Sequence, residues 1–400
     1  MNSPIITSLA DTDLYKLTMQ QTVLHQFPGA MVEYRFKCRN IPLVSLAKFK
    51  DEIEREIDAL CALTYSDAEL KYLASLRYMK ADFIDFLRIF RLQRQLIQVK
   101  TDKNGDLEII VTGPWLHTIP FEVPVLSIVN EVYFRNVGSG TDATKVAYER
   151  LESKIADVKR AKSSGDLMRR TPFIFFEFGT RRRFSREFQR NVVQRLQAEV
   201  SEFFKGTSNI ALAMEFGLTP IGTMAHEYLQ ACQAMGVRLR DFQKLAFEKW
   251  VQEYRGDLGI ALTDVVGVNA FLKDFDLYFS KLFDGVRHDS GDAVVWGEKI
   301  IAHYKDMNID PLTKMLVFSD GLNFKSAISH YNTFGDRAKT GFGIGTYLTN
   351  DCGIEPLQIV MKMTNCNGQP VAKVSDSAGK GMCLDDGFTA YLSSVFNLGP

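Results

Sequence analysis

The chain has 400 residues, 46% of them apolar and 24% charged, and its 48 basic side chains balance 48 acidic ones. That length suits two domains with a sizeable core, and zero net charge argues against a nucleic-acid-binding or polybasic membrane-anchored protein. The six cysteines form no C-x-x-C, the N-terminus lacks a signal-peptide pattern, and the longest apolar runs are too short to span a bilayer. These features predict a cytoplasmic protein with reduced thiols.

In chain order, residues 31–38 alternate like a strand, and 45–62 and 67–95 show helical periodicity. GDLEIIVTG (105–113) reads as a strand after an Asn-Gly turn, and 122–135 and 142–162 as helices, the second on the surface. From about residue 172 the texture changes. FIFFEFG (173–179) precedes a helix whose apolar face runs from Phe184 to Phe203 and which ends at Lys205-Gly206. NIALAMEFG, IALTDVV (260–266), GVRHDSGD (285–292), KMLVFSDG (314–321) and TGFGIGT (340–346) repeat one theme. Each is an apolar run with a polar or glycine-rich turn, and most lead into a helix. That repetition predicts βα units and a parallel sheet.

Polar residues recur at the expected strand ends: Arg181, Ser208, His226, Asp264, Arg287 with Asp289, Ser319 with Asp320, and Gly343 with Gly345. A barrel gathers all strand ends at one mouth, whereas an open sheet concentrates them at one switch point. The expected fold is therefore α/β, an irregular (β/α) barrel plus an α+β domain formed by the N- and C-terminal segments. The expected bounds are 1–165 completed by 356–400, and 166–355 for the barrel. LQIVMKM and QPVAKVSD read as late β segments that need partners among the N-terminal strands.

FGIGT (342–346) can cradle a phosphate through backbone N–H groups, and the loops after the last two barrel strands are the usual place for one. In RHDSGD (287–292), Asp292 reads as a helix cap, while Arg287 and Asp289 suit an anion and either ribose hydroxyls or Mg²⁺-diphosphate. FGTRRRFSRE puts three arginines at a helix start, where cations oppose the dipole. Solvated side chains are the expectation for Arg182 and Arg183, and an anion contact for Arg181. His226 in GTMAHEY reads either as a structural histidine or as a nucleophile or acid–base toward phosphoryl groups. The residues by themselves reach as far as a barrel enzyme for a phosphorylated, sugar-containing anion.

At LADTDLYKLTMQQ (9–21), EYRFKCRN (33–40), GPWLHTIPFEVPVLSIVNEVYF (113–134), FEFGTRRRFS (176–185), GTSN (206–209), GTMAHEY (222–228), DGVRHDSGD (284–292), VFSDGLN (317–323) and FGIGTYLTND (342–351) the chain resembles the bacterial nicotinate phosphoribosyltransferase family. The resemblance spans nearly the whole chain. It implies ATP-assisted transfer of phosphoribose from 5-phosphoribosyl-1-diphosphate to nicotinate, with Mg²⁺, in NAD salvage by a homodimer with shared active sites. Phe178 would stack on one face of the pyridine ring and Tyr15, from the partner subunit, on the other. Arg181 and Ser208 would lie near the ring carboxylate. Arg39 and Arg287 would contact the phosphoribosyl diphosphate, and Asp264 and Asp289 would hold ribose or the metal-bound diphosphate. Ser319, Gly321, Gly343, Gly345 and Thr346 would cradle the 5′-phosphate. Lys362 and Lys373 would be weaker contacts, and His226 would be the phosphorylated histidine.

The rival readings are a nicotinamide phosphoribosyltransferase, a phosphate-binding barrel isomerase or aldolase, and a non-catalytic metabolite-binding protein. Ser208 weighs against the first, because a hydroxyl can donate to a carboxylate that an aspartate would repel. No strong strand-end lysine supports the second. The third gives no reason for His, Asp and Arg to cluster at strand ends.

Overall fold

The computed structural model describes residues 3–374 and 383–398. Its strands are β1 Met31–Cys38, β2 Ile97–Thr101, β3 Leu107–Pro114, β4 Phe175–Glu177, β5 Phe204–Thr207, β6 Ile260–Leu262, β7 Gly285–His288, β8 Met315–Phe318, β9 Lys339–Ile344, β10 Ile359–Cys366 and β11 Gln369–Pro370. The chain divides into two compact units. The first holds residues 1–156, 176–222 and 344–362, and the second holds 157–175, 223–343 and 363–400. These bounds cut the chain differently from the texture change near residue 172. Both late β segments begin as strands, although the end of QPVAKVSD lies outside the described residues.

In the first unit, β3 pairs antiparallel with β1 on one side and β2 on the other, with Met31 opposite Pro114 and Ile97 opposite Val111. Val32, Tyr34 and Phe36 alternate into the core, as the period-2 pattern requires. Just past β1, the Arg39 N–H donates to the Gln358 carbonyl at 3.2 Å, which ties the start of β10 to this sheet. The Glu122–Val137 helix is apolar nearly all round and is buried from Glu122 to Phe134. Two of its few polar side chains face the 180–183 turn. Ser127 Oγ donates to the Thr180 carbonyl at 2.9 Å, and Asn130 Nδ2 donates to the Arg183 carbonyl at 2.6 Å.

In the second unit β6, β7, β8 and β9 lie side by side and parallel, with Gly285 opposite both Ile260 and Met315. Their side chains are buried on most positions, as expected of a parallel sheet covered by helices. The Ala293–Asp306 and Phe324–Phe334 helices begin on side-chain caps, Asp292 and Asn323. The fold thus mixes parallel and antiparallel sheets with helices. No helix among the described residues is long and apolar enough to cross a membrane.

Several local expectations are corrected. NIALAMEFG is no strand: Ile210–Glu215 is helical, capped by the Asn209 side chain. The strand of that region is β5, in FKGT, and the preceding helix ends at Val200 rather than at Lys205-Gly206. His226 does not end a strand but opens the His226–Cys232 helix. Residues 67–95 split into two helices, Asp67–Ala74 and Ala81–Ile89.

Candidate active site

Two clusters of polar side chains stand out, one in each unit. In the second unit, His226 Nε2 lies 2.8 Å from Asp264 Oδ1 and 3.5 Å from Asp289 Oδ2. Asp264 follows β6 by two residues and Asp289 follows β7 directly, so adjacent parallel strands deliver both carboxylates to one place. Asp264 is buried. Its Oδ2 accepts from Ser290 Oγ at 2.6 Å and pairs with the buried Lys373 Nζ at 2.6 Å. Asp289 is only half buried, and its Oδ1 accepts from Ser319 Oγ at 3.0 Å.

The electrostatics follow from this packing. Burial alone would raise the Asp264 carboxyl, but His226 and the Lys373 ammonium outweigh it and hold it well below the usual carboxylate range. Burial, helped by Lys373, pushes His226 below its ordinary value, against the pull of Asp264, which favours the neutral imidazole. A neutral ring that meets a carboxylate at Nε2 carries its proton there, which leaves the Nδ1 lone pair as the nucleophilic position. Arg287 lies in β7, Ser319 just past β8, and Gly343 near the end of β9. Gly321, in the turn after β8, has φ +57°, which favours glycine.

Ligand atoms of His226, Asp264 and Asp289 all fall within 4.8 Å of one another. They do not make a dedicated metal centre, because both Asp264 oxygens are engaged and the Lys373 ammonium sits against one of them. Asp289 is more open than Asp264, with its Oδ2 3.8 Å from Lys373 Nζ.

The second cluster belongs to the first unit. Ser208 follows β5, and its backbone N–H donates to the Glu177 carbonyl at the end of β4 (2.9 Å). The Leu14–Gln26 helix starts beside it, with the Leu14 N–H donating to the Ser208 carbonyl at 2.8 Å, which places Tyr15 near this strand end. Phe178 is half buried, with its ring stacked on Phe176 at 5.9 Å. Gly179 has no room for a side chain, since a Cβ there would lie 2.1 Å from Thr349 Oγ1. Gly345 is also crowded: a Cβ there would lie 2.9 Å from the Phe178 carbonyl oxygen, so the Phe178 turn and the Gly345-Thr346 turn pack closely.

Ser208 Oγ does not face an open pocket with a free proton. It donates to Asp13 Oδ1 at 2.7 Å, and burial pushes the Asp13 carboxyl up. Positive charge comes from three neighbouring arginines, Arg39, Arg181 and Arg182. Burial and Arg181 lower Arg39, and burial with Arg181 and Arg39 lowers Arg182 to about 9. Arg182 is not solvated as expected: its Nε and Nη2 donate to the Ile359 carbonyl at 2.9 and 2.8 Å. The expectation for Arg183 is also overturned. Its side chain is wholly buried, with Nη1 and Nη2 forking onto Asp11 at 2.7 and 2.8 Å. Glu122 lies 3.6 Å from Arg181 Nη1 and pairs with the buried Lys16, so Arg181 is braced from behind.

Of the expected residues, the structure brings His226, Asp264, Asp289 and Ser319 together, with Lys373. Separately it brings Ser208 close to Tyr15, and Phe178 close to Gly345. Lys362 is half buried in β10, in the first unit. Sequence reasoning missed Asp11, Asp13, Glu122 and Glu177. Glu177 carried a signal, a lone acid inside the apolar run FIFFEF.

Parallel strands that deliver two carboxylates to a helix-borne histidine, with an arginine cluster elsewhere in the chain, define the class: an α/β enzyme for anionic substrates. Comparison with known proteins makes this specific. Residues 173–400 match the nicotinate phosphoribosyltransferase (NAPRTase) family model, and residues 10–130 match the family's N-terminal domain. The chain belongs to the nicotinate phosphoribosyltransferase family. It is 56% identical over 397 residues to nicotinate phosphoribosyltransferase of Chromobacterium violaceum, covering 99% of this chain and 98% of that one. With the Acidovorax sp. (strain JS42) protein of the same name it shares 57% over 402 residues, covering 98% and 99%. The crystal structure of the Vibrio cholerae nicotinate phosphoribosyltransferase superposes with a TM-score of 0.95 at 39% identity, covering 100% of this chain and 96% of that one. The Porphyromonas gingivalis structure gives 0.89 at 34%, covering 98% and 100%.

Proposed function

We propose that this chain is a nicotinate phosphoribosyltransferase that transfers phosphoribose from 5-phosphoribosyl-1-diphosphate to nicotinate, yielding nicotinate mononucleotide and diphosphate, in NAD biosynthesis. The observation that carries the reading is His226 held through Nε2 by buried Asp264, in a chain whose full-length relatives bear that name. That arrangement suits ATP as co-substrate: Nδ1 of His226 takes the phosphoryl group while Asp264 stabilises the charge that develops on the ring.

Transfer itself needs orientation more than covalent chemistry, because diphosphate leaves C1′ as the ring nitrogen closes in. Phe178 and Tyr15 supply flat faces for the pyridine ring, and Arg181 with Arg39 supplies charge for its carboxylate or for phosphates. Arg287 and Asp289 serve the diphosphate end, and Ser319, Gly321, Gly343, Gly345 and Thr346 the 5′-phosphate. Mg²⁺, when bound with the diphosphate, neutralises leaving-group charge.

An irregular (β/α) barrel belongs to the same reading, supported by the four parallel strands β6 to β9, with the terminal segments as a second domain. So do a cytoplasmic setting and a homodimer, which sedimentation analysis would test. The decisive assay supplies nicotinate or nicotinamide with phosphoribosyl diphosphate, with and without ATP and Mg²⁺. Nicotinate mononucleotide formation stimulated by ATP is expected, and turnover of nicotinamide alone would overturn the reading.

A further inference from the structure

We propose that Glu177 is the positioning residue of the base pocket: one buried side chain sets the spacing between the Phe178–Arg181 turn and the Thr207–Asn209 turn, and thereby the affinity for nicotinate. The inference rests on the nicotinate chemistry proposed above and adds a residue to it.

Glu177 ends β4 and is fully buried. Its Oε1 accepts from the Gly179 N–H, in the turn that carries Phe178 and Arg181. Its Oε2 accepts from Thr207 Oγ1 at 2.6 Å, at the end of β5 next to Ser208, and from Gln189 Nε2 at 3.0 Å. Its backbone carbonyl takes the Ser208 N–H. Both pocket turns are therefore fastened to the same residue, which itself lies behind them.

The partners demand an acid at this position. All three are donors, and an ionised carboxylate is the side chain that only accepts. None of the donors is free to reverse its role. The Gly179 N–H is backbone. Thr207 Oγ1 accepts from the Asn209 N–H at 3.0 Å and gives its proton to Glu177. The Gln189 amide cannot flip, because its Oε1 accepts from Arg183 Nη1 at 3.2 Å and its Nε2 also reaches Thr180 Oγ1 at 3.0 Å. A glutamine at 177 would keep the shape but turn an NH₂ toward at least one of these donors.

The burial is costly. Desolvation pushes the Glu177 carboxyl up to about 7, and its three hydrogen-bond partners are neutral. The cost is offset only through what the acid holds in place, the two turns it fastens.

The test is the split between substrates. Glu177→Gln is expected to raise the KM for nicotinate about tenfold, the effect of one buried donor left unmatched. The kcat and the KM for phosphoribosyl diphosphate stay within about twofold. Thr207→Val gives a smaller rise in the same KM, Thr207→Ser restores it, and the double variant Glu177→Gln/Thr207→Val is no worse than Glu177→Gln alone. Amide hydrogen exchange at Gly179 and Ser208 speeds up in Glu177→Gln. Equal rises in both KM values, a fall in kcat alone, or unchanged exchange would overturn the proposal. If Glu177→Gln fails to fold, the Thr207→Val and Thr207→Ser pair decides by the same split. A wild-type protein that does not use nicotinate would defeat the proposed function, and the exchange comparison would still decide the role of Glu177.

Discussion

Replacing Arg183 with Met tests the buried charge network directly. Arg183 and Asp11 are both almost inaccessible, and the guanidinium forks onto the carboxylate at 2.7 and 2.8 Å. Removal strands Asp11, which keeps Asn209 Nδ2 at 2.7 Å and Arg186 Nε at 3.4 Å, and it also strips a donor from Gln189 Oε1. Breaking one side of a buried pair costs about 3–5 kcal/mol, and the surviving Arg186 contact favours the lower end. In a chain of this size the loss lowers the apparent Tm by about 4–6 °C. The pH dependence sharpens the test. In the wild type, burial would raise Asp11 but Arg183 outweighs it, so the folded carboxyl lies below its ordinary value. Its contribution is present above the unfolded pKa and fades as pH falls through the folded one. In the Met variant burial prevails, Asp11 rises, and stability recovers as the pH is lowered from 7 toward 5. Urea unfolding of both proteins at the two pH values measures the gap. A gap below about 1 kcal/mol, or one equal at both pH values, would refute the reasoning.

Three further outcomes are expected. Because burial raises the folded Glu177 carboxyl from 4.5 to about 7, ionising it costs stability as pH climbs between those values, a change of about 3 kcal/mol that Glu177→Gln should abolish in a pH series of thermal unfolding. Lys373→Met removes the cation that helps depress His226, so the imidazole titration midpoint read by NMR should move up, and a downward shift would contradict the geometry. Ser208→Asp places a second carboxylate against Asp13, and nicotinate KM should rise far more than that of phosphoribosyl diphosphate in steady-state kinetics.

The strands β6 to β9 were legible because a strand buried on both faces must be a short apolar run, and each here is closed by a polar or glycine-rich turn. FKGT was not legible as β5: four residues with one large apolar side chain carry no period. NIALAMEF was misleading for the opposite reason, since a short apolar run fits a buried helix as well as a strand, and the Asn209 cap decides it. Charges were the hardest to place. Arg183 looks like its solvated neighbours in RRR, and its partner Asp11 lies 172 positions away, so only tertiary structure reveals the pair. His226 and its carboxylates were recognisable as residue types, but their convergence depends on the parallel register of β6 and β7.

Neither compact unit is a continuous stretch of chain. The first is finished by residues 344–362, and the second draws on residues beyond 363. A ribosome adding roughly 5–20 residues per second makes residue 362 roughly 20–70 s after starting. Until then β1, β2 and β3 wait beside a missing neighbour, and Arg39 has no Gln358 carbonyl to meet. Nascent chains therefore carry an unfinished antiparallel edge for most of their synthesis, a hazard for pairing with other chains. Shortening this protein from its C-terminus should yield insoluble material rather than a smaller working domain, and co-expressed holdase chaperones should raise its yield more than slower induction of any truncated form.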